Sequence, residues 1–113
     1  MVKASCHCGA VRFEVPELPE EVASCNCSMC RRTGTLWAYY HPDQVRFEDA
    51  PNATATYIQG DRMLALHHCR TCGCITHWVS TTPDYTHRMG VNARLFEVDI
   101  GALPIRLNDG ASY

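Results

Sequence analysis

The feature that most constrains this chain is the grouping of its eight cysteines into three short runs. The central run, Cys25-Asn26-Cys27-Ser28-Met29-Cys30, places three thiols within six positions. Thiolates at this spacing can converge on one ion, and they favour zinc over hard cations. The fourth ligand must come from elsewhere in the chain, or the position stays open for water or substrate, as it does in catalytic zinc sites.

The two outer runs, Cys6-His7-Cys8-Gly9 and Cys69-Arg70-Thr71-Cys72-Gly73, predict a second metal site. Each is a short turn followed by glycine, and such turns point the sulfurs inward while backbone amides donate to them. Together they supply four thiolates for a closed structural zinc site: Cys6, Cys8, Cys69 and Cys72. This site would tie the N-terminal turn to a later hairpin, and losing a ligand should unfold the domain.

Spacing alone leaves two interpretations of the central run open. Either another side chain closes it as a second structural site, or it stays open for chemistry. The candidate closing ligands are His7, His41, His67, His68, His77 and Cys74. Cys74 is otherwise interpreted as a buried free thiol. Arg31 and Arg32 follow the run directly and would offset the negative charge of three thiolates or orient an anionic substrate.

Length and charge exclude several classes of protein. The 113 residues fit one domain, 1–113. A net charge of −2 gives no basic field for nucleic acid and no polybasic segment for a membrane. The first residues lack the apolar core of a signal peptide, and no apolar run has membrane-spanning length, so we expect a cytoplasmic protein. In a reducing compartment, the cysteines favour metal binding over disulfides.

Away from the cysteines, the pattern predicts an all-β fold. Val11, Phe13 and Val15 alternate with charged residues, as in a half-buried strand. The segments with extended character are 10–15, 35–41, 44–48, 54–59, 63–66, 75–79, 90–96 and 103–107. The arms 63–66 and 75–79 form a hairpin around the last cysteine run. No window of helical length carries a sustained apolar stripe.

Two local features complete this prediction. Ser28 is expected to cap one helical turn through Arg31 that ends at Gly34. Three aromatic side chains of the segment 35–41 are expected to belong to the core: Trp37, Tyr39 and Tyr40.

The cysteine motifs resemble the glutathione-dependent formaldehyde-activating enzymes, the Gfa or centromere-protein-V-like family. The matching order is Cys6-x-Cys8-Gly9, Cys25-x-Cys27-Ser28-x-Cys30-Arg31-Arg32-x-Gly34 and Cys69-x-x-Cys72-Gly73. The resemblance implies an Mss4-like fold of short antiparallel sheets stapled by two zinc ions. One zinc would be structural, at the residues matching Cys6, Cys8, Cys69 and Cys72. The other would be catalytic, at those matching Cys25, Cys27 and Cys30, which favours the open interpretation.

The activity that the resemblance implies is condensation of formaldehyde with glutathione to S-hydroxymethylglutathione, a carbon-sulfur lyase reaction in reverse. We therefore expect a zinc-dependent enzyme whose partners are a small thiol and an aldehyde. Its catalytic residues would be Cys25, Cys27, Cys30, Arg31 and Arg32. The alternative is a non-enzymatic zinc-binding scaffold with two structural zincs that docks a protein partner. A metal or redox sensor is a third hypothesis.

Overall fold

The computed structural model describes residues 1–48, 52–58, 62, 64–83 and 87–109. Its strands are β1 (Val2–Ser5), β2 (Arg12–Val15), β3 (Val22–Cys25), β4 (Leu36–Tyr40), β5 (Arg46–Phe47), β6 (Thr54–Ile58), β7 (Leu64–Cys69), β8 (Ile75–Ser80), β9 (Met89–Asn92) and β10 (Ile105–Asn108). A helical turn, α1, covers Cys30–Thr33, and 3-10 turns cover Pro42–Gln44 and Ala93–Leu95. No helix in these ranges is long and apolar enough to cross a membrane.

The strands form two sheets. In the described ranges, the small sheet has the order β1-β2-β5 and the large sheet the order β10-β3-β4-β9-β8-β7-β6. Neighbouring strands run antiparallel, except that β10 runs parallel to β3. The prediction of an all-β fold is confirmed, with one parallel pair that the sequence did not indicate.

The main core lies between the two sheets. Phe13 and Val15 of β2 pack there against Leu36, Ala38 and Val91 of the large sheet. Because successive side chains of a strand face opposite sides, the residues between them on β4 point away from this core. The opposite face of the large sheet therefore carries a second, smaller apolar cluster, and this face leads to one of the cysteine runs.

Most predicted strands appear with shifts of one to three residues at their ends, whereas β1 and β3 were not predicted. The predicted segment 90–96 is wrong in its second half, where Ala93–Leu95 forms a 3-10 turn. Gln59 and Met63, which were included in predicted strands, lie outside the described residues.

The predicted cap at Ser28 is wrong. The residue before α1 is Met29, without a side-chain capping bond. The reason is that the sulfur of Cys27 accepts from the Cys30 amide at 3.3 Å and so occupies a capping position itself. The predicted end of the turn is confirmed, because Gly34 adopts φ +70° and its amide donates to the Cys30 carbonyl.

Candidate metal centres

The first cysteine cluster joins two turns that are far apart in sequence. Four sulfurs lie within 4.8 Å of one another, those of Cys6, Cys8, Cys69 and Cys72. The sulfur of Cys8 is 3.7 Å from that of Cys6 and 3.6 Å from that of Cys69. In a tetrahedral site with Zn–S bonds of about 2.3 Å, neighbouring sulfurs are about 3.8 Å apart. The spacing therefore fits a metal bound by four thiolates.

Backbone turns hold these sulfurs in place. The Val11 amide donates to Cys6 Sγ at 3.3 Å, and the Thr71 amide donates to Cys69 Sγ at 3.4 Å. Gly73 closes the second turn with φ +84°, a backbone conformation that favours glycine, and its amide donates to the Cys69 carbonyl. Amide–sulfur bonds of this kind stabilise and orient thiolate ligands.

The thiols of this cluster are partly prepared for ionisation. Burial opposes ionisation of Cys72, but the backbone amides of Cys74 and Cys8 donate to its sulfur and bring its pKa down to about 5. The pKa of Cys69 is also lowered, chiefly by the Cys72 amide. Cys69 and Cys72 are therefore prepared for the deprotonation that metal binding requires. Cys8 is not, because the Ala10 amide, which lowers its pKa, is outweighed by burial and the neighbouring thiols, which raise it to about 11.

The second cysteine cluster is local and lies at the end of a strand. The sulfurs of Cys25, Cys27 and Cys30 lie within 4.8 Å of one another, and all three residues are half-buried. Cys25 ends β3 and Cys30 begins α1, so the chain reverses direction between them. The Arg31 amide donates to the Cys27 carbonyl at 3.0 Å and closes this reversal. The turn brings together three sulfurs that an extended chain would point in different directions.

The sulfur of Cys30 also accepts a hydrogen bond from an aromatic side chain, since Trp37 Nε1 donates to it at 3.4 Å. Burial raises the pKa of Cys30 to about 12, and the indole bond acts in the opposite direction. Burial also opposes ionisation of Cys27, but hydrogen bonds from Cys30 lower its pKa below the usual value. Ionisation of Cys30 at neutral pH therefore requires a bound cation, which deprotonates coordinating thiols.

The C-terminal strand braces this cluster. Asn108 of β10 pairs with Cys25, and its carbonyl accepts from the Asn26 amide at 3.1 Å. The Asn26 side chain donates to Asp109 Oδ1 at 3.0 Å. The local cysteine run is therefore held by contacts with the far end of the chain.

The side chains considered as closing ligands for the central run belong to neither cluster, although all of them are described: His7, His41, His67, His68, His77 and Cys74. His77 illustrates the reason, because its ring stacks on His67 at 4.2 Å and tilts against Phe47 at 4.5 Å. Its Nδ1 lies 2.8 Å from Thr76 Oγ1. Burial lowers the pKa of His77 to about 3, so it is a neutral ring packed between elements. Within the described residues, the second cluster therefore offers three candidate protein ligands.

Arg31 and Arg32, which follow the central run, are both exposed and lie in α1. Arg32 Nη1 donates to the Ser28 carbonyl at 2.7 Å and so braces the turn between the cysteines. Both charges stand in the helical turn that begins at Cys30. Their predicted roles in orienting substrate and in catalysis stay predictions.

An aromatic face, defined here as Trp37, Tyr39 and Trp78, begins at the Cys30 sulfur. Trp37 and Tyr39 alternate on β4 and therefore point to the same side of the large sheet. The rings of Tyr39 and Trp78 are tilted, with centroids 6.2 Å apart. Trp78 covers Gly90 of β9, where an added Cβ would overlap its indole nitrogen. The absence of a side chain at Gly90 is thus what lets Trp78 lie on the sheet.

A guanidinium group covers the outer end of this face. The Cζ atom of Arg88 lies 4.2 Å from the centroid of the Tyr39 ring. Burial raises the pKa of the Tyr39 hydroxyl, and the charges of Arg88 and Arg106 act in the opposite direction. The sulfurs of Cys25 and Cys30 also raise it, which shows that Tyr39 lies within electrostatic reach of the second cluster.

Both donor sets fit a thiophilic metal. The described residues offer four thiols in one cluster and three in the other. Soft sulfur donors of this kind, in groups of three or four, are typical of zinc sites. The two clusters are therefore consistent with the predicted pair of zinc ions.

Comparison with known proteins identifies the family. Residues 1–103 match the glutathione-dependent formaldehyde-activating enzyme. The chain belongs to this family. Among solved structures, it is similar to the crystal structure of a Rhodobacter sphaeroides protein, with 33% sequence identity and a TM-score of 0.76. The match covers 92% of this chain and 99% of that chain. No curated protein matches the chain significantly.

Membership of the Gfa family confirms the resemblance inferred from the cysteine motifs. Sequence reasoning nevertheless missed part of the surroundings of the second cluster. It placed Trp37 in the core, and the side chain is buried, but the bond from Trp37 to Cys30 was not foreseen. The alternation along β4 could have shown that Trp37 and Tyr39 share a face. Nothing in the sequence indicated Arg88, because its contact with Tyr39 joins two different strand regions.

Proposed function

We propose that this Gfa-family chain acts as one domain, 1–113, that adds the thiol of glutathione or a similar small thiol to formaldehyde or another aldehyde. The observation that carries the proposal is the convergence of Cys25, Cys27 and Cys30 with three protein ligands among the described residues. The activity named for the family is of the same kind. The half-buried ring of Tyr39, near this cluster, supports the proposal, since it offers an accessible aromatic surface for substrate.

The chemistry requires a thiolate and a nearby aldehyde. Cys25, Cys27 and Cys30 would hold a zinc ion, which would supply the electrostatic field that lowers the pKa of an incoming thiol. The substrate sulfur forms a bond to the aldehyde carbon, and the proton released by the thiol ends on the former carbonyl oxygen. No oxidant or reductant takes part, so the sum of thiol and aldehyde equals the product.

The chain's own residues orient the reactants. The Cys30 amide and the Trp37 indole fix two ligand sulfurs and so define the direction from which substrate approaches. Arg31 or Arg32 stabilises the negative charge that develops on the carbonyl oxygen. Because thiols add readily to formaldehyde without catalysis, orientation within one site is the main gain expected.

The first cluster takes a different role in this proposal. Cys6, Cys8, Cys69 and Cys72 hold a structural zinc that connects the N-terminal turn to the hairpin of β7 and β8. Reduced thiols at all of the ligand positions fit a cytoplasmic protein.

The proposal is tested by following exchange between free and thiol-bound ¹³C-formaldehyde by NMR, with glutathione present and zinc-loaded protein added. The parent protein should accelerate the exchange, Ser28→Ala should retain the effect, and Cys27→Ser should lose it. Acceleration that survives Cys27→Ser would place the chemistry elsewhere. Two bound zincs with no effect on exchange would overturn the proposal and favour the scaffold alternative.

A further inference from the structure

Arg88 is an exposed arginine whose position is fixed by stacking. It lies just before β9, and its Cζ atom is 4.2 Å from the centroid of the Tyr39 ring. The neighbouring Arg106 pairs with Glu21 at 2.9 Å. Among the described residues, no ion pair involves Arg88. Its guanidinium therefore presents a positioned fork of donors to solvent, next to the aromatic face.

The aromatic face connects this guanidinium to the second cysteine cluster. Trp37 donates to Cys30 Sγ at 3.4 Å, and Tyr39 follows two residues later on the same side of β4. Two residues of a strand span about 7 Å. With the 3.4 Å hydrogen bond and the 4.2 Å stacking distance added, the path from the sulfur of Cys30 to Arg88 along these contacts is on the order of 15 Å. A thiol that engages both ends must carry its anionic group at peptide distance from its sulfur, since an extended residue spans about 3.5 Å.

We propose that Arg88, held over Tyr39, binds a carboxylate of the thiol substrate and so selects a peptide-sized anionic thiol over small neutral ones. This inference rests on the proposed function and specifies its substrate class. A planar guanidinium matches a carboxylate through two parallel hydrogen bonds. Stacking on Tyr39 fixes the plane of that fork before substrate arrives, which reduces the ordering cost of binding.

The test measures binding by calorimetry with zinc-loaded protein and three probes. Glutathione carries both the thiol and the carboxylates, and glutathione diethyl ester keeps the thiol but masks the carboxylates. S-methylglutathione keeps the carboxylates but has no ionisable thiol. The variants are Arg88→Gln, Arg88→Lys and, as a matched control from the same face, Arg106→Gln.

Arg88→Gln should weaken the binding of glutathione and of S-methylglutathione by at least about tenfold, because a hydrogen bond between charged groups is lost. The same substitution should change the affinity for the diethyl ester by no more than about twofold, since that probe has no free carboxylate for Arg88 to bind. Arg88→Lys should recover part of the affinity, because it keeps the charge but not the planar fork. Arg106→Gln should weaken glutathione binding less, because the Arg106 guanidinium is already paired with Glu21.

The remaining outcomes separate this inference from the proposed function. Equal binding of glutathione and its diethyl ester, or an Arg88→Gln variant that binds like the parent, overturns the role of Arg88 alone. A third outcome is that S-methylglutathione binds as tightly as glutathione, that its binding depends on Arg88, and that the protein does not accelerate exchange. This result would support the role of Arg88 in binding carboxylates and overturn the proposed thiol chemistry. If the parent binds none of the three probes, both proposals fail.

Discussion

The two cysteine clusters place the same chemical group in different surroundings. The four-cysteine cluster joins turns separated by about half the chain, and two of its members, Cys6 and Cys69, are buried. The three-cysteine cluster comes from one short run, is half-buried throughout, and borders an aromatic face with an exposed arginine. Under the proposed function, the connections of a cluster, more than its ligand type, distinguish a site that stabilises the fold from one that carries chemistry.

The largest expected effect is on the four-cysteine cluster. Cys69→Ser should prevent soluble folding, because a structural zinc contributes on the order of 10 kcal/mol, comparable with the whole stability of a small domain. Soluble yield and circular dichroism after expression in zinc-supplemented medium measure this. Cys74→Ser, which removes a neighbouring thiol outside the cluster, should fold. A folded Cys69→Ser protein with unchanged melting would contradict the structural role.

The next effect separates the two clusters directly. Cys27→Ser should leave the fold intact and reduce the zinc content from two ions per chain to one. The reason is that the three cysteines of this cluster come from one short run and do not tie distant segments together. Catalysis should fall by at least about 100-fold, since even residues that only support a metal ligand contribute 10- to 100-fold. Zinc content and thermal melting are measured on the same sample. Collapse of the whole domain would instead show that both clusters are structural.

A smaller effect concerns the aromatic face. Gly90→Ala would force the Trp78 indole away from the sheet, because the added Cβ overlaps its nitrogen. Overpacking of this kind costs about 1–3 kcal/mol. The melting temperature should fall accordingly, and thiol binding should weaken as the face is disturbed. The control is Gly101→Ala, whose Cβ would meet only the Asp99 side chain at 3.1 Å. Equal melting of the two variants would show that Trp78 can move without cost.

The smallest expected effect is on the hydrogen bond between the aromatic face and the metal ligands. Trp37→Phe removes the donor to Cys30 Sγ and should weaken zinc at the three-cysteine cluster by about tenfold, as is typical of such supporting bonds. Competition with a chromophoric chelator measures both sites in one titration. Trp78→Phe is the matched control and should leave both affinities unchanged. Equal weakening of both zincs by Trp37→Phe would indicate a general loss of stability.

Much of this molecule could be predicted from particular residues. The alternation of Val11, Phe13 and Val15 with other residues predicted β2, because an apolar residue at every second position is typical of a half-buried strand. The strand β3 was missed because its four residues, Val22–Cys25, are too few to establish a period. Pairing of β10 with β3 could not be foreseen, since it depends on a contact between segments more than 80 residues apart.

The sequence by itself predicted the partition of seven cysteines into clusters of four and three. Short spacing brings the thiols of each run together, and a closed zinc site needs the four thiols of the two outer runs. Only the tertiary structure decided what surrounds each cluster. It kept His77 packed against His67 and Phe47, away from both clusters, and placed Arg88 over Tyr39 beside the second one. The physical reason is that the spacing of cysteines within each run can be read along the chain. The neighbours of a site come from strands that meet only when the sheets form.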